Sequence, residues 1–188
     1  MITGRDGRIH LMQFTHDIGG GFSLALRTLD TAEEMHQLTL RNLDRLQAWE
    51  PWPHEAQTLS GSVDFTRAQL ADFVAGTALP TVIVRGDSLI GAASVRLNPY
   101  LKTAELGYWI DADHEGSGSV TRSCRALLEH AEKAGMRRME IRTVADNQRS
   151  TAVAKRLGFA LDGVLRSALP VGNRRMDVAV YSRLNNGG

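Results

Sequence analysis

The sequence predicts an α/β (α+β) domain with interleaved strands and helices, and three observations carry that expectation. Thr81-Val-Ile-Val-Arg85 is a β-branched run joined through Gly86-Asp87 to a second strand-like run, Leu89 to Leu97, which is the turn chemistry of a β-hairpin. From Glu105 to Leu165 strand-like segments alternate with helical ones that end at Gly135 and Gly158, a β-α-β order. The 188 residues are 43% hydrophobic and 23% charged, the size and mix of one folded domain and not of a disordered or fibrous chain.

Residues 1–21 carry Gly4, Gly7 and Gly19 to Gly21 without sustained periodicity; they read as an N-terminal arm with one short strand at Ile9 to Phe14, and residues 22–188 form the domain. Phe22 to Leu26 alternates as a short strand that opens the main sheet. After Thr31 as N-cap, Met35, Leu38, Leu43 and Leu46 recur at roughly helical spacing, giving one or two helices over Ala32 to Gln47. Trp49-Glu-Pro-Trp52-Pro53 stops them, because proline disfavours helical geometry in the residue before it, and leaves a loop with two indoles. Val63 to Phe73 is helical again, and Asn98-Pro99 turns the chain after the hairpin. Glu105 to Ile110 is a strand, Val120 to Ala134 an amphipathic helix and Met139 to Thr143 a strand. Ser150 to Leu157 is a short helix, and Phe159 to Leu165 and Asp177 to Leu184 are the last strands.

Several classes of function fall away on composition. A formal net charge of +1 gives no general attraction for nucleic acid, no apolar run is long enough to span a membrane, and residues 1–8 are too polar for an export signal. One cysteine, Cys124, permits no internal disulfide and fits a reducing cytoplasm. The six histidines show no metal-ligand spacing with Cys, Asp or Glu, so no metal is expected.

Chemistry is concentrated between Glu105 and Arg122. There a strand, Glu105-Leu-Gly-Tyr-Trp-Ile110, is followed by a loop containing Gly116 and Gly118 and then by a helix. A helix N-terminus presents unpaired N–H groups and partial positive charge, which suits a phosphate, although Gly-x-Gly also serves ordinary turns and caps. From Arg122 to Arg156 there are nine Lys or Arg against four Asp or Glu, a local basic excess that suits a polyanion and equally a solvated helix face.

These segments together with Asn147-Gln-Arg-Ser150 and Leu157-Gly-Phe159 resemble the GNAT superfamily of acetyl-CoA N-acetyltransferases, in its RimJ/RimL-type branch of ribosomal-protein-serine and -alanine acetyltransferases. The likeness runs from about Phe22 to Leu184. It implies a mixed, mostly antiparallel sheet splayed in the middle, with the acetyl-pantetheine arm of acetyl-CoA in the gap. It implies that the amides of Gly116, Ser117, Gly118, Ser119 and Val120 hold the pyrophosphate, that Ile110, Asp111 and Ala112 pair with the pantetheine, and that Asn147 and Ser150 lie beside the thioester. A homodimer is common among such proteins. The chain departs from the pattern at Glu115, Ser117 and Val120, has Ala154 where many relatives carry a tyrosine, and has Leu169 near a glutamate of the ribosomal-protein enzymes.

Acyl transfer to an amine needs a proton acceptor, a donor for the leaving thiolate and accurate positioning. Glu105 is the candidate base, since superfamily members place a glutamate thirteen residues before the glycine that corresponds to Gly118; a surface ion pair is its structural alternative. Ser150 is the candidate acid, or a plain helix cap. Trp52 and Trp109 are candidates for the acceptor wall, with Tyr108 on the opposite strand face by the period of two. The expected function is direct acetyl transfer from acetyl-CoA to a primary amine, of a protein N-terminus or a small molecule; the alternative is a non-catalytic acyl-CoA-binding module.

Overall fold

Eight strands and five α-helices carry residues 15–185, the part of the chain that the computed structural model describes. In order they are β1 (Thr15–Gly19), β2 (Phe22–Leu26), α1 (Ala32–Arg41), α2 (Leu43–Gln47), α3 (Leu59–Val74), β3 (Ala78–Arg85), β4 (Ser88–Asn98), β5 (Thr103–Ile110), α4 (Ser119–Lys133), β6 (Arg138–Val144), α5 (Gln148–Arg156), β7 (Ala160–Val171) and β8 (Arg174–Leu184). The strands form one sheet in the order β1-β2-β3-β4-β5-β6-β8-β7. Every neighbouring pair is antiparallel except β5 and β6, whose parallel pairing requires the crossover that α4 supplies.

Side chains alternate across this sheet and give it two apolar layers. On one face Cys124, Leu127, Leu128 and Ala131 of α4 pack on Ile83, Val95, Leu106 and Ile141. On the other, Met35 and Leu38 of α1 pack on Ala25, Val82, Val84 and Leu89. Arg27, at the end of β2, is buried under α3, and its Nε donates to Thr66 Oγ1 at 3.0 Å. No helix of the described residues is long and apolar enough to cross a membrane.

The architecture is the mixed, mostly antiparallel sheet expected, with differences at its ends. The sheet begins one strand before Phe22, because Thr15–Gly19 folds back on β2 through Gly19 to Gly21, all three at positive φ. The strand expected at Ile9 to Phe14 lies outside the described residues. The first helical run is two helices, broken at Asn42. Helix α3 starts at Leu59 rather than Val63, because the Thr58 side chain caps it by accepting from Gly61 N at 3.0 Å. Strands β7 and β8 continue to a turn at Gly172, past irregularities between Leu161 and Gly163 and between Leu165 and Leu169 that break the period of two.

One glycine is required by close backbone approach. Opposite Ile110, a Cβ on Gly91 would sit 2.4 Å from the Trp109 carbonyl oxygen and 3.0 Å from Ile110 Cα. Gly91→Ala must therefore push β4 and β5 apart next to the gap described below. Overpacking of this kind costs about 1–3 kcal/mol, so a fall of several degrees in Tm is expected by calorimetry; an unchanged Tm would show that the strands relax freely.

Candidate active site

Strand β5 pairs with β6 only from Thr103 opposite Arg138 to Leu106 opposite Ile141. Beyond that point β5 stays with β4 as far as Ile110, while β6 stays with β8 as far as Val144, so the two central strands part company. The opening is a cavity of about 1230 Å³, lined by residues from both faces of the sheet. Asp111 N donates to Ile90 O, on the β4 side. By ladder alternation, the backbone groups of Tyr108 and Ile110 then face the gap, where no strand pairs with them.

The loop from β5 to α4 closes one end of the cavity. Gly116 and Gly118 hold φ of +71 and +79, and Gly118 is the N-cap of α4. Ser117 Oγ donates to His114 O at 2.7 Å and lies 3.0 Å from the Ser119 hydroxyl, which can donate to it, and this fixes the turn. No hydrogen bond among the described residues uses the amides of Gly116, Ser117, Gly118 and Val120, residues that line the cavity with the positive end of a fifteen-residue helix behind them. Arg122 and Arg125 of α4 and Arg149 and Arg156 of α5 line the same region. Arg156 Nη1 donates to Thr121 Oγ1 at 3.0 Å and ties the two helices together.

Glu115 does not oppose that positive field, since its carboxylate is ion-paired with Arg45 of α2 and with Arg149, the latter at 3.3 Å. Asn42, at the break between α1 and α2, anchors the other side of the loop. Its Nδ2 donates to Asp111 Oδ1 at 2.8 Å and to Leu38 O at 3.0 Å, and its Oδ1 accepts from Ala112 N at 3.0 Å.

Beneath the gap, Tyr108 Oη lies 2.9 Å from Ser150 Oγ and 3.3 Å from Ser150 O. Asn147, not Ser150, caps α5: its Oδ1 accepts from Ser150 N at 3.1 Å, which leaves the Ser150 hydroxyl for Tyr108. Burial pushes the Tyr108 phenol well above its ordinary range, so it stays protonated and able to donate. Glu105 lines the cavity, with its Oε1 accepting from Arg96 Nη2 at 2.8 Å. Trp109 packs on the α1 layer while also lining the cavity, and Trp52, 42% exposed in a short 3-10 turn, lines it from the loop after α2. Glu50, between the two loop indoles, lines it too, and burial pushes its carboxyl up to about 7.

The model of the acetyltransferase (GNAT) domain matches residues 23–160. The chain belongs to the GNAT acetyltransferase family. It is 34% identical over 152 residues to the ribosomal-protein-serine acetyltransferase of Escherichia coli K12, across 80% of this chain and 85% of that one. It is 31% identical over 178 residues to YdaF, a putative ribosomal N-acetyltransferase of Bacillus subtilis 168, across 91% and 95%. Among solved structures it resembles RimL, a ribosomal L7/L12 α-N-protein acetyltransferase in complex with coenzyme A, with TM-score 0.87 and 28% identity over 90% of this chain and 97% of that one. It also resembles the microcin C7 self-immunity acetyltransferase MccE in complex with acetyl-CoA and AMP, with TM-score 0.84 and 29% identity over 89% and 94%.

This GNAT chain is an acetyl-CoA-dependent N-acetyltransferase, and the donor set suits its cosubstrate. Loop amides without a backbone partner, with arginines in the same wall, meet the chemistry of a pyrophosphate, and strand backbone left unpaired beyond Leu106 meets that of a pantetheine amide. The cavity gathers Glu105, Trp109, Ile110, Gly116 to Val120, Asn147, Ser150 and Trp52. Asp111 and Ala112 do not line it, since their amides already donate to Ile90 O and to Asn42. Tyr108 and Trp109 do point to opposite faces, yet both line the cavity, because the gap passes through the sheet.

Sequence reasoning missed Asn42, Tyr108 as the partner of Ser150, and Glu50. Asn42→Ala strands the Ala112 N–H and one side of the Asp111 carboxylate. Leaving such groups unpaired costs about 1–3 kcal/mol, to be read in denaturant unfolding; a loss below about 0.5 kcal/mol would mean that water replaces Asn42.

Proposed function

We propose that this N-acetyltransferase passes the acetyl group directly to a primary amine that enters from the side of Trp52, with the Tyr108–Ser150 pair returning a proton to the thiol. The observation that carries this reading is the 2.9 Å contact between two hydroxyls in the gap, one of them a phenol that burial keeps protonated. Gly116 to Val120 hold the pyrophosphate, the freed edge of β5 at Ile110 holds the pantetheine, and Asn147 fixes Ser150 by capping α5. With two strands held apart for the donor and a separate acceptor wall, positioning supplies much of the rate and no acetyl-enzyme is needed.

The acceptor end carries Trp49, Trp52 and Trp109 beside Glu50 and Glu105, which suits a cationic amine on an apolar or aromatic body. Glu105, tied to Arg96, draws the ammonium inward. The curated relatives are named for ribosomal proteins, and one solved neighbour holds AMP, so protein N-termini and nucleotide-linked amines head the acceptor panel. The single cysteine and the family's use of acetyl-CoA favour a cytoplasmic setting. A homodimer is supported by the edge strand β7, which exposes Leu161, Val164 and Leu165. Light scattering is expected to give twice the 20.6 kDa chain mass; a monomer at every concentration would remove the dimer.

Thiol release from acetyl-CoA is expected to depend on one class of amine in the panel. Ser150→Ala and Tyr108→Phe should each lower kcat by about a hundredfold with little change in acetyl-CoA affinity. Full activity in both variants would show that solvent protonates the thiolate.

A further inference from the structure

Glu50 is a carboxyl that the cavity holds without a counter-charge. It lies in the loop after α2, beyond Ala48 and Trp49, is half-buried, and makes no ion pair among the described residues. Charged and titratable groups that line the cavity with it include Asp44 and Arg45 on α2, Arg96 on β4, Glu105 and Tyr108 on β5, and Arg142 on β6. All three of these arginines are committed elsewhere: Arg45 to Glu115, Arg96 to Glu105, Arg142 to Glu140. Of the α4 and α5 arginines, Arg149 is paired with Glu115, Arg156 bonds Thr121, and the Arg122 guanidinium lies against the Gly19–Gly20 turn. Burial of Glu50 therefore meets no cation, and its carboxyl rises to about 7 against a hydrogen bond with Trp52 that acts the other way. Its charge is also close enough to Tyr108 to disfavour ionisation of the phenol, which puts it near the Tyr108–Ser150 pair.

Resting on the transferase reading above, we propose that Glu50 is the general base, taking the proton that the acceptor amine loses as its nitrogen bonds to the acetyl carbon. One N–C bond forms and the C–S bond breaks. The bound ammonium first gives one proton to solvent; as the neutral amine attacks, its next proton goes to the Glu50 carboxylate, a proton from the Ser150–Tyr108 pair goes to sulfur, and solvent restores both groups. From the neutral amine onward, the net movement is one proton from amine to thiol. A base whose affinity for protons lies close to the working pH is the most effective acceptor, and the indole of Trp52 beside it gives the amine an apolar wall on which to settle. Glu105, with its carboxylate on Arg96, then serves attraction and not proton transfer.

The test is the pH dependence of kcat/KM for thiol release in wild type, Glu50→Gln and Glu105→Gln, on the amine that the panel selects, with acetyl-CoA binding to each protein measured by calorimetry. Wild type should lose rate as pH falls through about 7, because the base becomes protonated. Glu50→Gln should be about a hundredfold slower at pH 8 and lack that limb while binding acetyl-CoA within about twofold of wild type. Glu105→Gln should keep the limb and raise the acceptor KM. If Glu50→Gln keeps both the limb and more than about half the rate, the base role is overturned while the transferase stands. A wild type that binds acetyl-CoA but releases no thiol with any amine overturns the transferase reading and the base role with it. Carboxyl-carbon NMR of the wild type, assigned by the signal lost in Glu50→Gln, gives a readout independent of turnover. Titration near 7 is expected, and titration in the ordinary carboxylate range overturns the proposal.

Discussion

The parting of β5 from β6 after four paired residues is the constraint around which the molecule is organised. A sheet interrupted in its centre loses ladder hydrogen bonds and would be expected to fray. Here each half is held by its own neighbours: β5 by eight pairs with β4, and β6 by seven pairs with β8. The α4 layer bridges both halves, with Leu127 and Leu128 packed into the cluster that contains Leu106 and Ile141. The gap is therefore an absence of pairing that the packing of both halves sustains, and the backbone edge of β5 beyond Leu106 is left without a strand partner on that side.

Charge around the gap is distributed with similar economy. The cavity wall at the glycine loop includes arginines of α4 and α5, and the Glu115 carboxylate beside that loop is taken up by Arg45 and Arg149. Arg96 and Arg142 are likewise bonded to Glu105 and Glu140. Arg45, Arg96, Arg142 and Arg149 are thus bonded to carboxylates of their own, while Glu50 is left with burial and an indole. Burial pushes a group placed this way up to about 7, whereas a guanidinium beside a carboxylate favours its charged form.

Most of the fold could be read from the sequence because its signals are local. The Gly86-Asp87 hairpin, the α4 periodicity closed by Gly135 and the β-α-β order from residue 103 onward each rest on a few adjacent residues. What escaped depends on distance or irregularity. The outer part of the β7–β8 hairpin was missed because two irregularities, one with Ser167 at φ +49, cancel the alternation that marks a strand. In the site, the phosphate loop and Ser150 lie in recognisable runs, but Asn42 reaches Asp111 across 69 positions and Tyr108 reaches Ser150 across 42. No spacing rule announces such pairs. Glu50 was visible as a lone acid between two tryptophans; its lack of a cation could not be seen until the arginines were located.

The segment from Ala48 to Thr58, which contributes Trp49, Glu50 and Trp52, is bounded by two helices and lies outside the sheet. Its ties are few and mostly short-range: Gln47 Nε2 to Pro53 O at 2.9 Å, and Gln57 Nε2 to Trp52 O at 3.3 Å and Glu55 O at 2.9 Å. None of them reaches the phosphate loop or the floor where Tyr108 meets Ser150. A stretch held in this way can vary in length and sequence between its two helical anchors with little disturbance to the glycine loop or to the Tyr108–Ser150 contact, so long as the acid between its indoles is kept.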